Sequence, residues 1–300
     1  MTNKTILLTG ASSGIGRDAA IALARAGHHV IVAARRLPAL EALRDDWHGM
    51  VTPLQLDLDD PASIAAAAVS IDAITGGRGL DVLINNAGFA TAGALAELPD
   101  AALRAQFETN VFGLMALTRA VIPPMLARGS GLVVNVSSVS GRIPAPVLGA
   151  YHASKYALEA LSDALRMELA AFGVRVAIVE PGTIRTGFAA RVFAETASAR
   201  TTASRYASVY DRAASLEARF DAMAGDTGPV VRAILHAVHA RRPRIRYVAP
   251  RRFMLLIALL RVLPTCWTDA AMRRMFGLTR AQLAIGPGAV RRFDRSATPS

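Results

Sequence analysis

The 300-residue sequence contains one cysteine, Cys266, and only two lysines, Lys4 and Lys155. A single cysteine excludes an internal disulfide, so the fold does not depend on an oxidising compartment. No uninterrupted apolar run reaches about 18 residues, which argues against a membrane-spanning helix. The N-terminus leads directly into an apolar stretch, without a basic region or a small-residue cleavage site. We therefore expect no secretory signal and a cytoplasmic protein.

Positive charge is scarce outside the last quarter of the chain. The formal net charge is +11, but residues 1–229 contain 20 Lys and Arg against 21 Asp and Glu. Residues 230–300 contain 14 arginines against two aspartates. No nucleic-acid-binding motif accompanies this excess, so we expect no nucleic-acid partner. The distribution instead indicates one anionic partner of the C-terminal segment.

Short apolar runs alternate with segments that carry apolar residues at helical spacing. The runs are apolar throughout, as in parallel strands that are covered on both faces. The alternation predicts an α/β fold, a doubly wound parallel sheet of the Rossmann type, in a domain spanning residues 1–250. The predicted strands are 6–10, 29–34, 51–57, 82–87, 131–137, 174–181 and a short one around 244–249. The predicted helices are 17–27, 37–47, 61–71, 101–128 (ended or kinked by Pro123-Pro124), 154–173 and 229–240.

Two segments depart from this regular pattern. Residues 187–229 are rich in Ala, Ser, Thr and Arg, and we predict one or two helices there, in a loop beside the substrate. Residues 251–300 are predicted to form a separate C-terminal extension. With 52% hydrophobic residues, the chain can build one α/β domain with an appendage.

The segment YHASK places Tyr151 and Lys155 four residues apart, and Ser138 lies thirteen residues before Tyr151. Four residues are about one helical turn, so the phenol and the ammonium should project from the same helix face. A nearby cation favours the phenolate and should lower the pKa of Tyr151 from about 10 toward neutrality, as a general acid/base requires. In a chain that otherwise uses arginine, lysine suits this task because its ammonium is compact and its pKa is tunable.

The segment TGASSGIG places Gly10, Gly14 and Gly16 between the first predicted strand and the first predicted helix. Glycine permits the tight turn there and lets a pyrophosphate approach the positive N-terminus of the helix. The context predicts a dinucleotide site. The second strand ends in Arg35 and Arg36 rather than in an acidic residue. Arginine at this place suits a ribose 2′-phosphate, and Arg17 can reach the same region, so NADP(H) is favoured as the cofactor.

These features occur together with others in an order that resembles the classical short-chain dehydrogenase/reductase family, across about residues 4–190. The matching features are TGASSGIG, Asp57 after the third strand, NNAG at 85–88, Asn110, Ser138, the YxxxK of Tyr151 and Lys155, and PG at 181–182 followed by Thr183.

The resemblance implies hydride transfer between a nicotinamide and an alcohol or carbonyl carbon. It implies that Tyr151 exchanges the hydroxyl proton and that Ser138 binds the substrate oxygen. Lys155 would bind the ribose hydroxyls and lower the pKa of the tyrosine, and Asn110 would hold a water of a proton relay. The implied cofactor-binding residues are Gly10, Ser12, Ser13, Gly14, Ile15, Gly16, Arg35, Arg36, Asp57, Leu58, Asn86, Ala87, Gly88, Tyr151, Lys155, Pro181, Gly182, Thr183 and Thr186.

Several other polar residues are predicted to be structural. Ser137 and Tyr156 fall outside the spacing of the catalytic set, and Asn85 is expected to brace the sheet. His152 is expected at the mouth of the cleft. We expect no metal site, because the two histidines that share a helix face, His236 and His239, have no carboxylate or cysteine beside them.

The C-terminal extension carries an apolar stretch at 253–260 that is flanked by Arg251, Arg252 and Arg261. It is far shorter than the ~20 residues that span a bilayer. Basic residues around an apolar helix are typical of a helix that lies in a membrane interface. A helix that covers the substrate pocket or a subunit contact is the alternative. The sequence thus leaves open a peripheral membrane contact through 251–263, at the inner face of a membrane.

The function expected from all of this is an NADP(H)-dependent oxidoreductase acting on a hydrophobic alcohol or ketone, such as a steroid, a retinoid or a long-chain carbonyl. The 187–265 segment supplies mostly apolar residues and no cluster of carboxylate-binding groups. A 3-oxoacyl or small polar carbonyl substrate is the alternative. A non-catalytic NADP(H)-binding redox sensor or scaffold would be expected to have a broken Ser/Tyr/Lys set, and here the set is intact. We expect a homo-oligomer, either a dimer or a tetramer.

Overall fold

A parallel sheet of seven strands forms the centre of the protein, with the order β3-β2-β1-β4-β5-β6-β7. The computed structural model describes residues 3–188, 192, 204–212, 215, 218 and 222–283. All seven predicted strands are confirmed. Their bounds are β1 Thr5–Thr9, β2 His29–Ala34, β3 Val51–Gln55, β4 Val82–Asn85, β5 Gly131–Val136, β6 Val174–Pro181 and β7 Arg246–Ala249.

Helices cover both faces of this sheet, which confirms the doubly wound fold. Their bounds are α1 Gly14–Arg25, α2 Leu37–Asp46, α3 Pro61–Thr75, α4 Asp100–Phe107, α5 Leu114–Val121, α6 Pro123–Arg128, α7 Gly149–Ala170, α8 Ala207–Tyr210, α9 Gly228–His239, α10 Arg252–Val262 and α11 Thr265–Phe276. A π-helix, Glu108–Gly113, joins α4 to α5, and a short 3₁₀ helix, Val139–Gly141, follows β5.

Successive residues of the strands enter different cores. Ile6 and Leu8 of β1 belong to the core under α1, α2 and α9, whereas Leu7 between them belongs to the core under α3, α5 and α7. All three side chains are fully buried. This explains why the strands are apolar throughout. The strand order reverses between β1 and β4, so a crevice is expected beyond the carboxyl ends of these two strands.

The segment that the sequence predicted as one helix, 101–128, is divided into three helices and a π-turn. Pro123 begins α6 after a break at Ile122, as expected for a residue that cannot donate a backbone hydrogen bond. The π-helix was not predicted. It contains Asn110, and π-turns inside helices are frequent at functional sites.

The loop predicted at 187–229 is described only in part. Its described portion includes α8, and a bridge joins Ile184 to Gly225. The remainder of the predicted helices lies outside the described residues. The start of the C-terminal extension forms α10 and α11, as an extension with helical character predicts. No helix within the described ranges is both long enough and apolar enough to cross a membrane.

Candidate active site

The turn after β1 is shaped by two glycines that no other residue could replace. Gly10 has a φ of +70°, and its backbone N–H donates to the carbonyl of Ala33 at 2.8 Å. A Cβ at Gly16 would lie 2.2 Å from the carbonyl oxygen of Gly10. The side chain of Ser13 makes no capping bond at the start of α1. The first N–H groups of this helix therefore remain available to an anion, which is the arrangement that a pyrophosphate requires.

A hydrogen-bonded brace from β4 holds this turn in place. The backbone N–H groups of Asn86 and Ala87 both donate to the hydroxyl of Thr9 at 3.0 Å. The side-chain amide of Asn86 donates to the carbonyls of Thr9 and Gly10 at 3.0 and 3.3 Å. The predicted cofactor residue Asn86 thus turns its side chain toward the glycine turn, and only its backbone and those of Ala87 and Gly88 are left to line the crevice.

The arginines predicted to select the cofactor lie at the rim of the same crevice. Arg35 and Arg36 follow β2, Arg17 lies on the first turns of α1, and all three are exposed. Within the described ranges, no acidic side chain forms an ion pair with any of them. Uncompensated guanidinium groups at this place fit a phosphate.

The residues predicted after β3 have local structural partners. The carboxylate of Asp57 accepts from the backbone N–H of Asp59 at 3.1 Å, and the Asp57 N–H donates to the hydroxyl of Ser63 at 2.9 Å. Leu58 is buried. A contact of Asp57 and Leu58 with an adenine stays a prediction.

The segment after β6 closes the crevice on its other side. Gly182 donates its N–H to the carbonyl of Ala249 at 2.8 Å. A Cβ built on Gly14 would lie 3.2 Å from the methyl group of Thr186, so the segment reaches the glycine turn. Pro181 is buried, and Thr183 accepts from the N–H of Gly225 at 3.1 Å. The two predicted halves of the cofactor site are therefore adjacent.

The three residues of the predicted catalytic set meet at the carboxyl end of β5. Tyr151, Lys155 and Ser138 are all buried. The hydroxyl of Ser138 lies close to the phenol of Tyr151, donates to the carbonyl of Pro181 at 3.4 Å and accepts from the N–H of Ser140 at 3.1 Å, and these two hydrogen bonds fix its position. The ammonium of Lys155 lies 5.9 Å from the centre of the Tyr151 ring and donates to the carbonyl of Val136 at 3.0 Å.

The expected lowering of the tyrosine pKa is wrong for this arrangement. Burial raises the pKa of Tyr151 to about 12, and the hydrogen bond from Ser138 only partly opposes it. Burial also lowers the pKa of Lys155 to about 8, against the attraction of Glu159. The physical reason is that desolvation penalises the charged form of each group, and it outweighs the hydrogen bond of Ser138 in one case and the attraction of Glu159 in the other.

We predict a pH-dependent stability that reports on Lys155. The pKa of Lys155 is about 8 in the folded protein and 10.5 as its ordinary value. Between these values the unfolded chain holds a proton that the folded chain has lost, so the free energy of unfolding should rise with pH. Urea denaturation measures this effect. The free energy of unfolding of the wild type minus that of Lys155→Met should rise from pH 8 to pH 10. A difference that stays flat would show that the buried lysine remains charged.

Asn110 connects the catalytic helix to the loop after β4. It is buried on the π-helix, and its side-chain amide donates to the carbonyl of Phe89 at 3.0 Å and to the hydroxyl of Ser154 at 3.1 Å. A Cβ built on Gly88 would lie 3.0 Å from the Asn110 side-chain oxygen and 3.8 Å from the Lys155 ammonium. The structure thus brings Asn110 beside Lys155 as predicted. A role in a proton relay stays a prediction.

The wall around the Tyr151 ring is apolar. Tyr151 packs with Ala90, Ala92 and Val192, and Val147, Leu148 and Phe188 pack against this group. The rings of Tyr151 and Phe188 are 5.6 Å apart. We call these seven residues the apolar cluster. Val147 has a φ of +68°, which is strained for a β-branched residue, and its carbonyl accepts from the Gly93 N–H at 2.7 Å.

A buried ionic network behind the catalytic residues was not predicted. Glu180 is fully buried and forms ion pairs with Arg142 at 2.8 Å and Arg246 at 3.2 Å. Arg246 also pairs with Glu159 at 3.2 Å and with Asp163 at 2.5 Å. Glu159 and Asp163 lie one and two helical turns after Lys155, and this spacing was the one sequence signal that could have indicated a shared face.

The residues predicted to be structural have mostly the expected places. Asn85 is buried and donates to Thr118 and Asn135, which confirms its role in bracing the sheet. Ser137 is buried, whereas Tyr156 is largely exposed. His152 was expected at the mouth of the cleft, but it is buried, and its Nδ1 contacts the carbonyl of Ile143 at 2.6 Å. It therefore fixes the loop before α7.

The two histidines of α9 have different partners. His236 contacts the hydroxyl of Tyr247, and His239 contacts His28, both at 2.9 Å. Burial lowers the pKa of His28 and of His239, and each is a partner of the other rather than of an acidic residue.

Comparison with known proteins agrees with this geometry. A family model described as short chain dehydrogenase matches residues 4–197. The Uncharacterized oxidoreductase YbbO of Escherichia coli strain K12 is 39% identical over 263 residues, which cover 87% of this chain and 91% of that protein.

Two solved structures share the fold. A short chain dehydrogenase/reductase from Burkholderia phymatum, in complex with NAD, is 25% identical with a TM-score of 0.75, over 86% of this chain and 92% of that one. A short-chain dehydrogenase from Sphingobium yanoikuyae, in complex with NADPH, is 28% identical with a TM-score of 0.67, over 87% and 96%. The strand order, the glycine turn, the buried Ser/Tyr/Lys set and these matches lead to one conclusion: the chain belongs to the short-chain dehydrogenase/reductase family of oxidoreductases.

Proposed function

We propose that this protein is an NADP(H)-dependent oxidoreductase that interconverts a hydrophobic alcohol and the corresponding ketone. The observation that carries the proposal is the buried phenol of Tyr151, which lies beside Ser138 and Lys155 and packs against the other members of the apolar cluster. A proton donor, a second hydroxyl and a cation in one apolar pocket are what a carbonyl oxygen needs as it becomes an alcohol.

Each residue has a distinct part in this reaction. A bound nicotinamide supplies the hydride for reduction, or accepts it in the reverse direction. Ser138 donates a hydrogen bond to the substrate oxygen, and Tyr151 gives its proton to that oxygen as negative charge develops on it. Because burial raises the pKa of Tyr151, the phenol is protonated at neutral pH and can give its proton to that oxygen. Lys155 binds the ribose hydroxyls and, with Asn110, returns a proton to the tyrosine.

The choice of NADP(H) over NAD(H) depends on the arginines at the rim. Arg35, Arg36 and Arg17 offer three guanidinium groups to a 2′-phosphate and no carboxylate to a ribose hydroxyl. One structural neighbour is in complex with NAD and the other with NADPH, so the comparison does not distinguish between the two cofactors. The proposed contacts are Gly10, Ser12, Ser13, Gly14, Ile15, Gly16, Arg35, Arg36, Asp57, Leu58, Asn86, Ala87, Gly88, Tyr151, Lys155, Pro181, Gly182, Thr183 and Thr186.

The apolar cluster supports a hydrophobic substrate such as a steroid, a retinoid or a long-chain carbonyl. A 3-oxoacyl or small polar substrate is the alternative, which Ser138, Lys155 and His152 beside the Tyr151 ring leave open. The intact Ser/Tyr/Lys set argues against a non-catalytic redox sensor or scaffold.

We further propose a catalytic domain at 1–250 and an extension at 251–300. We also propose that the protein is a homo-oligomer and that it is cytoplasmic, with a peripheral membrane contact.

A turnover screen tests the proposed function. The full-length protein would be offered a panel of steroid, retinoid, long-chain, 3-oxoacyl and small polar carbonyls with NADPH or NADH, and consumption of the reduced cofactor would be followed by its absorbance. We expect turnover of apolar ketones with NADPH. Turnover of only the small polar carbonyls would overturn the substrate class, and binding of NADPH without any turnover would support the sensor.

A further inference from the structure

Helix α10 exposes an apolar surface that a water-facing helix would normally bury. Met254, Leu255, Leu259 and Val262 are 51%, 78%, 54% and 79% exposed. Their spacing places them along one side of the helix, and we call these four residues the apolar stripe. Ile257, on the other side, is 5% exposed. The helix therefore rests on the protein by one side and presents the apolar stripe to the surroundings.

The buried side holds α10 beside the active site. The ring of Phe253 packs so closely on Gly182 that a Cβ there would lie 2.1 Å from it. Gly182 directly follows Pro181, on the segment that closes the cofactor crevice. The guanidinium of Arg252 donates to the carbonyl of Met223, in the described end of the substrate loop. Helix α10 and its apolar stripe are thus anchored to the segment that follows β6 and to the described end of the 187–229 loop.

The charge around the apolar stripe identifies what it fits. Residues 230–283 contain 11 arginines and one acidic residue, Asp269. Arg251, Arg252 and Arg261 are exposed at the two ends of α10, and Trp267, 65% exposed, begins the next helix. Both sides of α10 are apolar, so the exposed apolar residues lie outside the protein core, and Leu256 is also 42% exposed. An anionic membrane surface suits them, because its acyl chains accept apolar side chains, its head groups attract the arginines, and its interface favours an exposed tryptophan.

Two other occupants fit less well. A second copy docked symmetrically through this stripe would bring the same arginines of both copies together, which opposes association. A membrane-spanning arrangement needs about 20 apolar residues, and α10 has 11.

We propose that α10 lies in the surface of an anionic bilayer, with the apolar stripe among the acyl chains, and that a membrane-dissolved substrate reaches Tyr151 from that side. The inference rests on the proposed function for the identity of the substrate, but the docking itself does not. Every arginine near an anionic surface adds attraction that salt screens, while the apolar stripe adds attraction that salt does not screen.

Co-sedimentation with vesicles tests the docking. The full-length protein would be mixed with phosphatidylcholine vesicles that do or do not contain phosphatidylglycerol. We expect binding to the anionic vesicles, partial release in high salt and weaker binding to the neutral ones. Val262→Asp should weaken binding by about tenfold or more, since a buried valine contributes about 1.5 kcal/mol or more and each ~1.4 kcal/mol corresponds to tenfold.

Val69→Asp is the matched control, because Val69 is 71% exposed on α3, remote from the extension in sequence. It should sediment like the wild type. Absence of binding by the wild type, or equal loss in both variants, would overturn the proposal. A change in oligomeric mass for Val262→Asp would also overturn it, because a second copy would then cover the apolar stripe. Binding that appears only after removal of 284–300 would assign the stripe to the chain's own tail and likewise overturn it.

Enzyme activity separates this inference from the proposed function. With a water-miscible ketone and no vesicles, Val262→Asp and the wild type should turn over NADPH equally. With an apolar ketone dissolved in anionic vesicles, the variant should be slower by about the same factor as its loss of binding. Normal vesicle binding without turnover of any ketone would leave the docking intact and remove the proposed reaction.

Discussion

Replacing Tyr151 with phenylalanine is expected to lower kcat by about 10²- to 10⁴-fold, because the variant loses the proton donor and keeps the ring that packs in the apolar cluster. NADPH affinity should remain nearly unchanged, since the hydroxyl oxygen is the only heavy atom removed. Steady-state kinetics and a fluorescence titration with NADPH measure the two effects.

Tyr156→Phe is the control for this experiment. Tyr156 is on the same helix, five residues further along, but it is 41% exposed and outside the site. It should keep full activity. If Tyr151→Phe retains more than about a tenth of the wild-type rate, the assignment of the acid/base is wrong.

Replacing Arg35 with aspartate is expected to reverse the preference between the two nicotinamide cofactors. The change removes a charge-assisted hydrogen bond worth about 1.5–3 kcal/mol and adds a repulsive charge, so the KM for NADPH should rise by at least about 10- to 100-fold. The KM for NADH should change little. The ratio of the two KM values is the measurement.

Arg119→Asp serves as the control for the change in charge, because Arg119 is exposed on α5 and lies outside the proposed cofactor site. It should leave the ratio of KM values as it is. An unchanged ratio in Arg35→Asp would transfer the selective role to Arg36 or Arg17. If neither of these changes the ratio either, the assignment of NADP(H) fails.

The sequence predicted best what depends on local spacing. The positions of Tyr151 and Lys155 on one helix face, and of Gly10 and Gly16 at a tight turn, follow from residues that are near in sequence, and the structure confirms them. Most of the seven strands were predictable because they are continuous apolar runs, whereas β3 contains Thr, Pro and Gln and β7 begins with an arginine. These features need no knowledge of the tertiary fold.

What the sequence could not predict depends on burial and on distant partners. The pKa of Tyr151 was predicted in the wrong direction because the spacing to Lys155 indicates attraction and contains no information on desolvation. The brace from Asn86 to Gly10 joins residues 76 positions apart. His152 was misplaced for the same reason, since its partner carbonyls belong to a loop whose path the sequence does not specify.

Helix α10 of the C-terminal extension has features that the sequence predicts and others that it does not. The arginines that flank 253–260 were visible in the sequence, and so was the apolar character of that stretch. Which side of α10 would be covered was not, because the covered side is defined by distant contacts such as that of Phe253 with Gly182. This left a membrane contact and a pocket cover as alternatives, whereas the structure shows that one side of the helix is covered and the other is exposed.

The dependence of the catalytic helix on Arg246 has a consequence for how the protein matures in the cell. Glu159 and Glu180 are synthesised well before β7, the strand that carries Arg246. Until that strand has left the ribosome, Glu159 lacks its ion pair with Arg246 and is left with the attraction of Lys155, and the ion pairs described for Glu180 are reduced to the one with Arg142. Burying unpaired carboxylates is costly, so the nascent chain should keep this edge of the sheet open. We therefore expect catalytic competence to arise only when synthesis is nearly complete, and fragments ending before residue 246 to be inactive.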